Sequence, residues 1–398
     1  MNHTKLKGLL LIALMAVSGI AGCLSSDDDD DEDKDETMDA TDATDGTGGT
    51  DAADAMDAED GGYTYASNVD NHRSLMKDLC DIKTAASEDG GYDFATAKDI
   101  YMNGKNAEKS DGSFRTLAGF ASAEGKNHGY DAYYDAAGSV DAHITAAMDG
   151  TGDFEGVSDT VRYQGIAKLT ANMGMVAYTI HELNSAIAKA DAGNVDNDSG
   201  APHNWDEGWA FFHGPDEDYG CSPAKVMEKR AADFGTQTDG VSNALTASQT
   251  AMVDGLAALQ AGDSAGYTAA ADTVVKNVVI TYSQAVLKYT SKMDDADSGA
   301  KYQVEGYAFW KAIEAYSAAY TNACIHTDGN VTYVGDSDAS ACDANNETFD
   351  GHYGADKINE ILNLQDASQL GTSYDVTAHL EHVWAHYGIT SDDIGTYS

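Results

Sequence analysis

The residues of this chain best suited to chemistry gather in His203–Gly214, HNWDEGWAFFHG. Two adjacent carboxylates, Asp206 and Glu207, stand there among Trp205, Trp209, Phe211 and Phe212, with a histidine at each end. A carboxylate inside an aromatic cluster is costly to bury unless it is paired or holds a cation. A partial copy recurs at Gln303–Trp310, QVEGYAFW, so Glu-Gly-(Trp/Tyr)-Ala-Phe appears at Glu207–Phe211 and again at Glu305–Phe309. Glu207 and Glu305, backed by Asp206, form the leading candidate metal-ligand set, and His181-Glu182 comes next. Oxygen-rich sites with one or two imidazoles suit hard cations such as ferric iron, manganese or calcium. Tyr178, Tyr282, Tyr289 and Tyr307 offer phenolates, which favour ferric iron. A structural reading competes. Each glutamate falls where a helix is expected to begin, and an acid in a first turn caps free N–H groups and complements the dipole. For His181 the competing reading is a histidine satisfied by its neighbours.

A second histidine cluster, His379, His382 and His386 in HLEHVWAH, lies on one face of an expected helix, and its 382/386 pair has chelating spacing. An exposed amphipathic face near the C-terminus is the plainer reading. His128 is a weaker candidate. The chain has no phosphate loop and no H-E-x-x-H; position 185, where His181-Glu182 would need its second histidine, is serine. Classical hydrolase and nucleotide chemistry are therefore poorly supported, as is a di-iron bundle, because no clean Glu-x-x-His repeat occurs.

Helices must position these residues. The three prolines, Pro202, Pro215 and Pro223, all fall around the first motif, and the rest of the chain is alanine-rich with Gly/Asp connectors. Helices are expected over 74–86, 92–102, 114–124, 130–148, 157–190, 222–234, 242–261, 265–292, 302–323, 355–364 and 376–387. Ile166, Leu169, Met173, Val176, Ile180 and Ile187 make an inner stripe on the first long helix; Val274, Val278, Tyr282, Val286 and Tyr289 make one on the second. Each long helix leads through a polar loop into a Glu-Gly-aromatic-Ala-Phe segment. The expectation is an all-α fold, two related helical-bundle halves (roughly 63–235 and 236–398) from an internal duplication, with long polar loops. Such bundles build sites between facing helices.

The ends and the charge place the chain. Lys5 and Lys7 precede an apolar Leu9–Val17 stretch too short to span a bilayer, followed by Ile20-Ala21-Gly22-Cys23. Residues 1–22 read as a lipoprotein signal peptide and Cys23 as an acylated anchor to the membrane. Residues 24–62 read as a spacer: Asp27–Asp60 holds 17 acids against one lysine, a run that repels itself. Of the net charge of −44, the part from Gly61 onward carries −30, from 50 acids and 20 bases. That surface excludes nucleic acid as a partner. It suits attraction of cations or, as the plainer reading, a protein adapted to salt. Beyond Cys23 there are four cysteines, which allow three pairings and favour disulfides in an exported chain. Cys324 and Cys342 flank one polar loop, which favours that pair and leaves Cys80 with Cys221. No C-x-x-C spacing supports a zinc-thiolate site.

Four segments in order resemble a known family: ATAKDIYMNGKNAEKSDGSFRTLAGFA at 95–121, the His203–Gly214 motif, CSPAKVMEKRAADFGT at 221–236 and QVEGYAFWKAIE at 303–314. The chain resembles the iron-assimilation, low-iron-inducible periplasmic proteins of green algae. The resemblance implies an exported protein that helps cells take up iron by binding it outside the membrane. It points to ligands at Asp206, Glu207 and Glu305, ferric iron rather than ferrous, and delivery to a membrane iron transporter. Val304 stands where the first motif has Asp206, so the two half-sites are not equivalent. The lipobox and spacer look prokaryotic, and the expected place is the membrane surface facing the periplasm or exterior. The expectation is a binding protein rather than an enzyme. Its rivals are a metal-dependent surface enzyme, such as a ferroxidase or an imelysin-like protein, and a purely structural lipoprotein. The imelysin-type Gly-x-His-x-x-Glu signature is missing.

Overall fold

A computed structural model describes residues 59–123, 126 and 129–398. The signal segment, Cys23, most of the spacer and His128 lie outside the described residues.

The described chain is mostly helical, with small sheets of two or three strands. Its helices of nine or more residues are α1 (Asp70–Ala86), α2 (Phe94–Asn103), α3 (Ser139–Asp149), α4 (Asp159–Lys168), α5 (Met175–Asp191) and α6 (Ala201–Phe212). After them come α7 (Pro223–Phe234), α8 (Asn243–Ala261), α9 (Ser264–Ser291), α10 (Gly299–Lys311), α11 (Tyr353–Ile361) and α12 (Thr377–Tyr387). Two antiparallel pairs form the frame. Helix α5 packs along α6, and α8 along α9. Helix α9 is the central pillar, against which α5, α7, α10 and α12 also pack. Its buried residues point to all sides, from Val274 and Val278 to Asn277, Gln284 and Tyr289, as expected of a helix enclosed by others. One contiguous apolar core runs from Tyr63 to Ile394.

Several boundaries differ from those read in the sequence, for identifiable reasons. Helix α6 starts at Ala201, upstream of the motif, because Pro202 sits in the first turn where no intrahelical N–H is required. Glu207 and Glu305 are each the seventh residue of their helices, so the first-turn capping role is excluded for both. The long helix expected over 157–190 is α4 and α5 joined by a π-turn, Leu169–Gly174, in which Asn172 donates to the Lys168 carbonyl (2.7 Å) and accepts from Tyr282 (2.9 Å). The helix expected over 130–148 breaks at Asp135 and Gly138, both in the left-handed region.

The segment after α10 was expected to stay helical to Ala323 and then form a polar loop. It instead forms, after a single helical turn at Glu314–Ser317, a three-stranded sheet in which β3 (Asn322–His326) lies between β4 (Val331–Gly335) and β5 (Glu347–Asp350), antiparallel to both. Val331-Thr332-Tyr333-Val334 is a strand-favouring run, and Gly329 supplies the positive φ its turn needs. Near the N-terminus, β1 (Glu59–Asp60) and β2 (Tyr63–Thr64) make a hairpin, so the last residues of the acidic stretch are folded. Both disulfides match the favoured pairing: Cys80–Cys221 and Cys324–Cys342, each with Cα atoms 5.5 Å apart.

Candidate metal centre

Every residue of α6 is buried. The helix is enclosed by α5, α1 and α8 and by the β1–β2 hairpin, to which Trp209 donates at the Asp60 carbonyl (3.0 Å). Adjacent helical residues point about 100° apart, so Asp206 and Glu207 meet different surroundings.

Glu207 turns toward a cavity of about 450 Å³ whose lining includes His72, His181, Glu182 and Asn204. Its Oε1 lies 3.2 Å from His72 Nε2 on α1 and 3.2 Å from His203 Nε2 one turn back on α6. Neither contact has hydrogen-bond alignment; Oε1 is buried and makes no hydrogen bond among the described residues. Its Oε2 accepts from Asn204 Nδ2 (3.3 Å), which also donates to Glu182 Oε2 (2.6 Å) on α5. The Asn204 oxygen, Oδ1, is a second buried acceptor without a hydrogen bond among the described residues. His181 stands beside Glu182, Nε2 to Oε1 at 3.9 Å. An aromatic wall closes one side: Phe211 packs on His72 (5.4 Å) and Phe120 (4.9 Å), and Phe120 on Tyr178 (4.4 Å).

The electrostatics favour an anionic centre with neutral imidazole. Burial and the nearby Arg115 guanidinium lower the His72 pKa to about 3, so this ring is uncharged at neutral pH. Burial acts against the Glu207 carboxylate, but the imidazoles of His72 and His203 hold its pKa well below the glutamate range. Basic side chains form another part of the lining: Lys109, Arg115, Lys126 and Lys189. The first two come from the 104–116 loop, which buried Asp78 anchors by accepting from the Lys105 and Asn106 backbone N–H groups (3.2 and 3.0 Å).

Asp206 points away from the cavity, about a quarter-turn round the helix from Glu207, and is wholly buried. It accepts four hydrogen bonds, from Tyr63 OH (2.5 Å), Ala66 N (2.9 Å), Ser67 N (2.8 Å) and Ser67 Oγ (2.7 Å). Burial still raises its pKa to about 6. Asp206 thus holds the segment that follows β2 against α6.

Glu305 does not line this cavity. Its helix, α10, packs on α9 and α4, and its closest charged neighbour is Lys168, Nζ to Oε1 at 3.9 Å. Burial raises the Glu305 pKa and lowers that of Lys168 to about 8. The two motif glycines play similar parts: Gly208 lets α6 approach Leu183 of α5, and Gly306 lets α10 approach Leu362 and Tyr289 of α9. The helical hairpins thus run in the same order, but their glutamates meet different chemistry.

The remaining candidates are dispersed. Of the four tyrosines, Tyr178 lines the cavity; Tyr282 donates to Asn172, Tyr307 donates to Asp153, and Tyr289 stacks on Phe309. His213 stacks between Trp209 and Tyr219. His379 pairs with Tyr333 and His386 stacks on Tyr320, both by the three-stranded sheet. Cys324, Cys342 and Glu347 bring ligand-type atoms close together, but the sulfurs are bonded to each other and Glu347 faces His326 at 3.0 Å.

Sequence reasoning missed His72 and Asn204 and did not weigh His203 as a ligand. The His203–Glu207 spacing of four on one helix was a usable signal. His72 carried none, since only packing brings α1 to this face of α6, and Asn204, on α6 itself, gains its part only from Glu182, which packing brings in on α5.

A family model described as low iron-inducible periplasmic protein matches residues 42–395. No curated protein and no solved structure matches the chain.

Proposed function

The chain belongs to the low iron-inducible periplasmic protein family, and from that premise we propose that it captures iron outside the cytoplasm. The iron is cargo, held by Glu207 with His72 and His203, while Glu182, beside His181, stands across Asn204 and supplies further carboxylate oxygen. One observation carries this reading: Glu207 Oε1, buried and without a hydrogen bond among the described residues, lies 3.2 Å from two imidazole nitrogens. Two ligand atoms each about 2.1 Å from an ion, on adjacent octahedral corners, sit roughly 3 Å apart. A carboxylate oxygen facing two imidazole nitrogens is costly as a bare arrangement and favourable around a cation. Carboxylate oxygens beside imidazole suit ferric iron better than a soft ion. We further propose attachment to the membrane through acylated Cys23 and hand-over of iron to a membrane transporter. No bond need be made or broken, and a ferroxidase would be recognised by oxygen consumption with ferrous iron.

The test is calorimetric titration of the chain with ferric iron supplied as its nitrilotriacetate chelate. Glu207→Gln keeps the shape but removes the anion, and is expected to weaken binding by about 100-fold or more, the scale of a lost charged ligand. Glu305→Gln, outside the proposed ligand set, is expected to leave affinity unchanged. Equal affinity of wild type and Glu207→Gln would overturn the assignment. The four basic side chains of the cavity favour a second reading, a pocket for a small polycarboxylate without metal. Binding of citrate alone as tight as that of ferric citrate would select it.

A further inference from the structure

Ser67 joins the two faces of α6. Its hydroxyl oxygen lies 2.7 Å from Asp206 Oδ2 and 2.8 Å from His203 Nδ1, and Ser67 and Asp206 are both fully buried. The hydroxyl has one proton to give and can accept in return. The other three partners of Asp206, the Tyr63 hydroxyl and two backbone N–H groups, all donate to it. A carboxyl surrounded by donors is a carboxylate, and the Ser67 proton therefore points to Oδ2. Ser67 Oγ is then left as an acceptor, so the proton between it and His203 must sit on Nδ1.

We propose that Ser67 and Asp206 are positioning residues that fix His203 as the Nδ1–H tautomer, leaving Nε2 unprotonated beside Glu207 Oε1. Two acceptor atoms then stand side by side at 3.2 Å without being aimed at each other, an arrangement that a cation bound by both resolves and that a proton on Nε2 would block. Carboxylate-to-histidine relays of this kind set the orientation and basicity of imidazole ligands. Here a hydroxyl is interposed, and the carboxylate is the sequence neighbour of the proposed ligand Glu207, about 100° round the same helix. The consequence for iron rests on the iron-binding reading above; the tautomer itself does not.

Two measurements on the full chain separate the two. Long-range proton–nitrogen correlation spectra of metal-free, histidine-labelled protein are expected to show His203 protonated at Nδ1. Ser67→Ala is expected to lose that preference and Ser67→Thr, which keeps the hydroxyl, to retain it. Ferric iron supplied as its nitrilotriacetate chelate is expected to bind Ser67→Ala roughly 10–100-fold more weakly than wild type, and Ser67→Thr within a few-fold of it. An Nε2–H tautomer in wild type, or an unchanged one in Ser67→Ala, overturns the proposal. So does unchanged iron affinity in Ser67→Ala when His203→Ala abolishes binding. If the spectra come out as expected while neither wild type nor any variant binds iron, the tautomer assignment holds and the iron reading falls.

Discussion

At the scale of single residues, the buried acids of this chain divide by what faces them. Glu207 meets imidazoles and an unfilled acceptor position, Asp206 meets four donors, and Glu305 meets a lysine. Glu314 belongs with the satisfied class. It is 1% exposed and accepts from Lys311 (2.6 Å), Tyr134 (2.5 Å), Asn359 (2.5 Å) and Tyr133 (3.1 Å). Burial alone would raise its pKa, but the Lys311 ammonium and these hydrogen bonds hold it below the ordinary 4.5. Because the folded value is the lower one, the unfolded chain takes up this proton first. The stability Glu314 contributes is complete above about pH 4.5 and is lost as pH falls through the folded value. Glu314→Gln should therefore cost on the order of 3–5 kcal/mol at neutral pH by leaving Lys311 buried without its anion. It should also flatten the acid limb of a plot of Tm against pH; parallel limbs for wild type and variant would refute this.

At the scale of elements, the close fit of α6 among its neighbours keeps the proposed ligands in register. Gly255 of α8 is the tightest point. A Cβ there would lie 2.1 Å from Trp205 Cζ2 and 2.9 Å from the Ala270 methyl, while Trp205 Nε1 donates to the Met252 carbonyl at 2.8 Å. Gly255→Ala should cost roughly 1–3 kcal/mol through overpacking and weaken iron binding as well, because displacing Trp205 moves His203 and Glu207 on the same helix. Gly208→Ala would meet Leu183 Cδ2 at 3.3 Å, the movable end of a side chain, and should cost less. Paired thermal denaturation of the two variants checks the order, and the reverse order would show that α8 can give way.

At the scale of the whole molecule, the Cys80–Cys221 bond spans 141 residues and ties α1, which carries His72, to the turn leading from α6 into α7. The Cys324–Cys342 bond spans 18 residues beside the three-stranded sheet, away from the cavity. Chain entropy gives the longer loop the larger stabilisation, on the order of 4–5 kcal/mol against about 3. Cys80→Ser/Cys221→Ser should accordingly lower stability more than Cys324→Ser/Cys342→Ser in denaturant titrations, and it alone should also weaken iron binding. The surface of net charge −30 from Gly61 onward draws cations from a distance only at low ionic strength, since at 1 M salt the Debye length is about 3 Å. The cavity itself is lined partly by cations, so local placement rather than overall charge decides what it takes.

The sequence by itself determined that the chain is mostly helical, that two long helices lead into related Glu-Gly-aromatic-Ala-Phe helices, and that Glu207 sits in a buried aromatic setting. Those are properties of periodicity, helix propensity and local composition, which act within about twenty residues. Strand-favouring Val331–Val334 was equally local, and its neighbours on the loop masked it. The tertiary structure alone decided which acids share a site. Position along a helix fixes the direction of a side chain but not what stands opposite. The three elements that bring His72, Glu182 and Ser67 to α6 come from α1, α5 and the turn after β2, up to 140 residues away from Asp206. The same sequence signal, a glutamate six residues into a buried helix and followed by glycine, therefore gives a candidate iron ligand at Glu207 and a lysine-paired acid at Glu305.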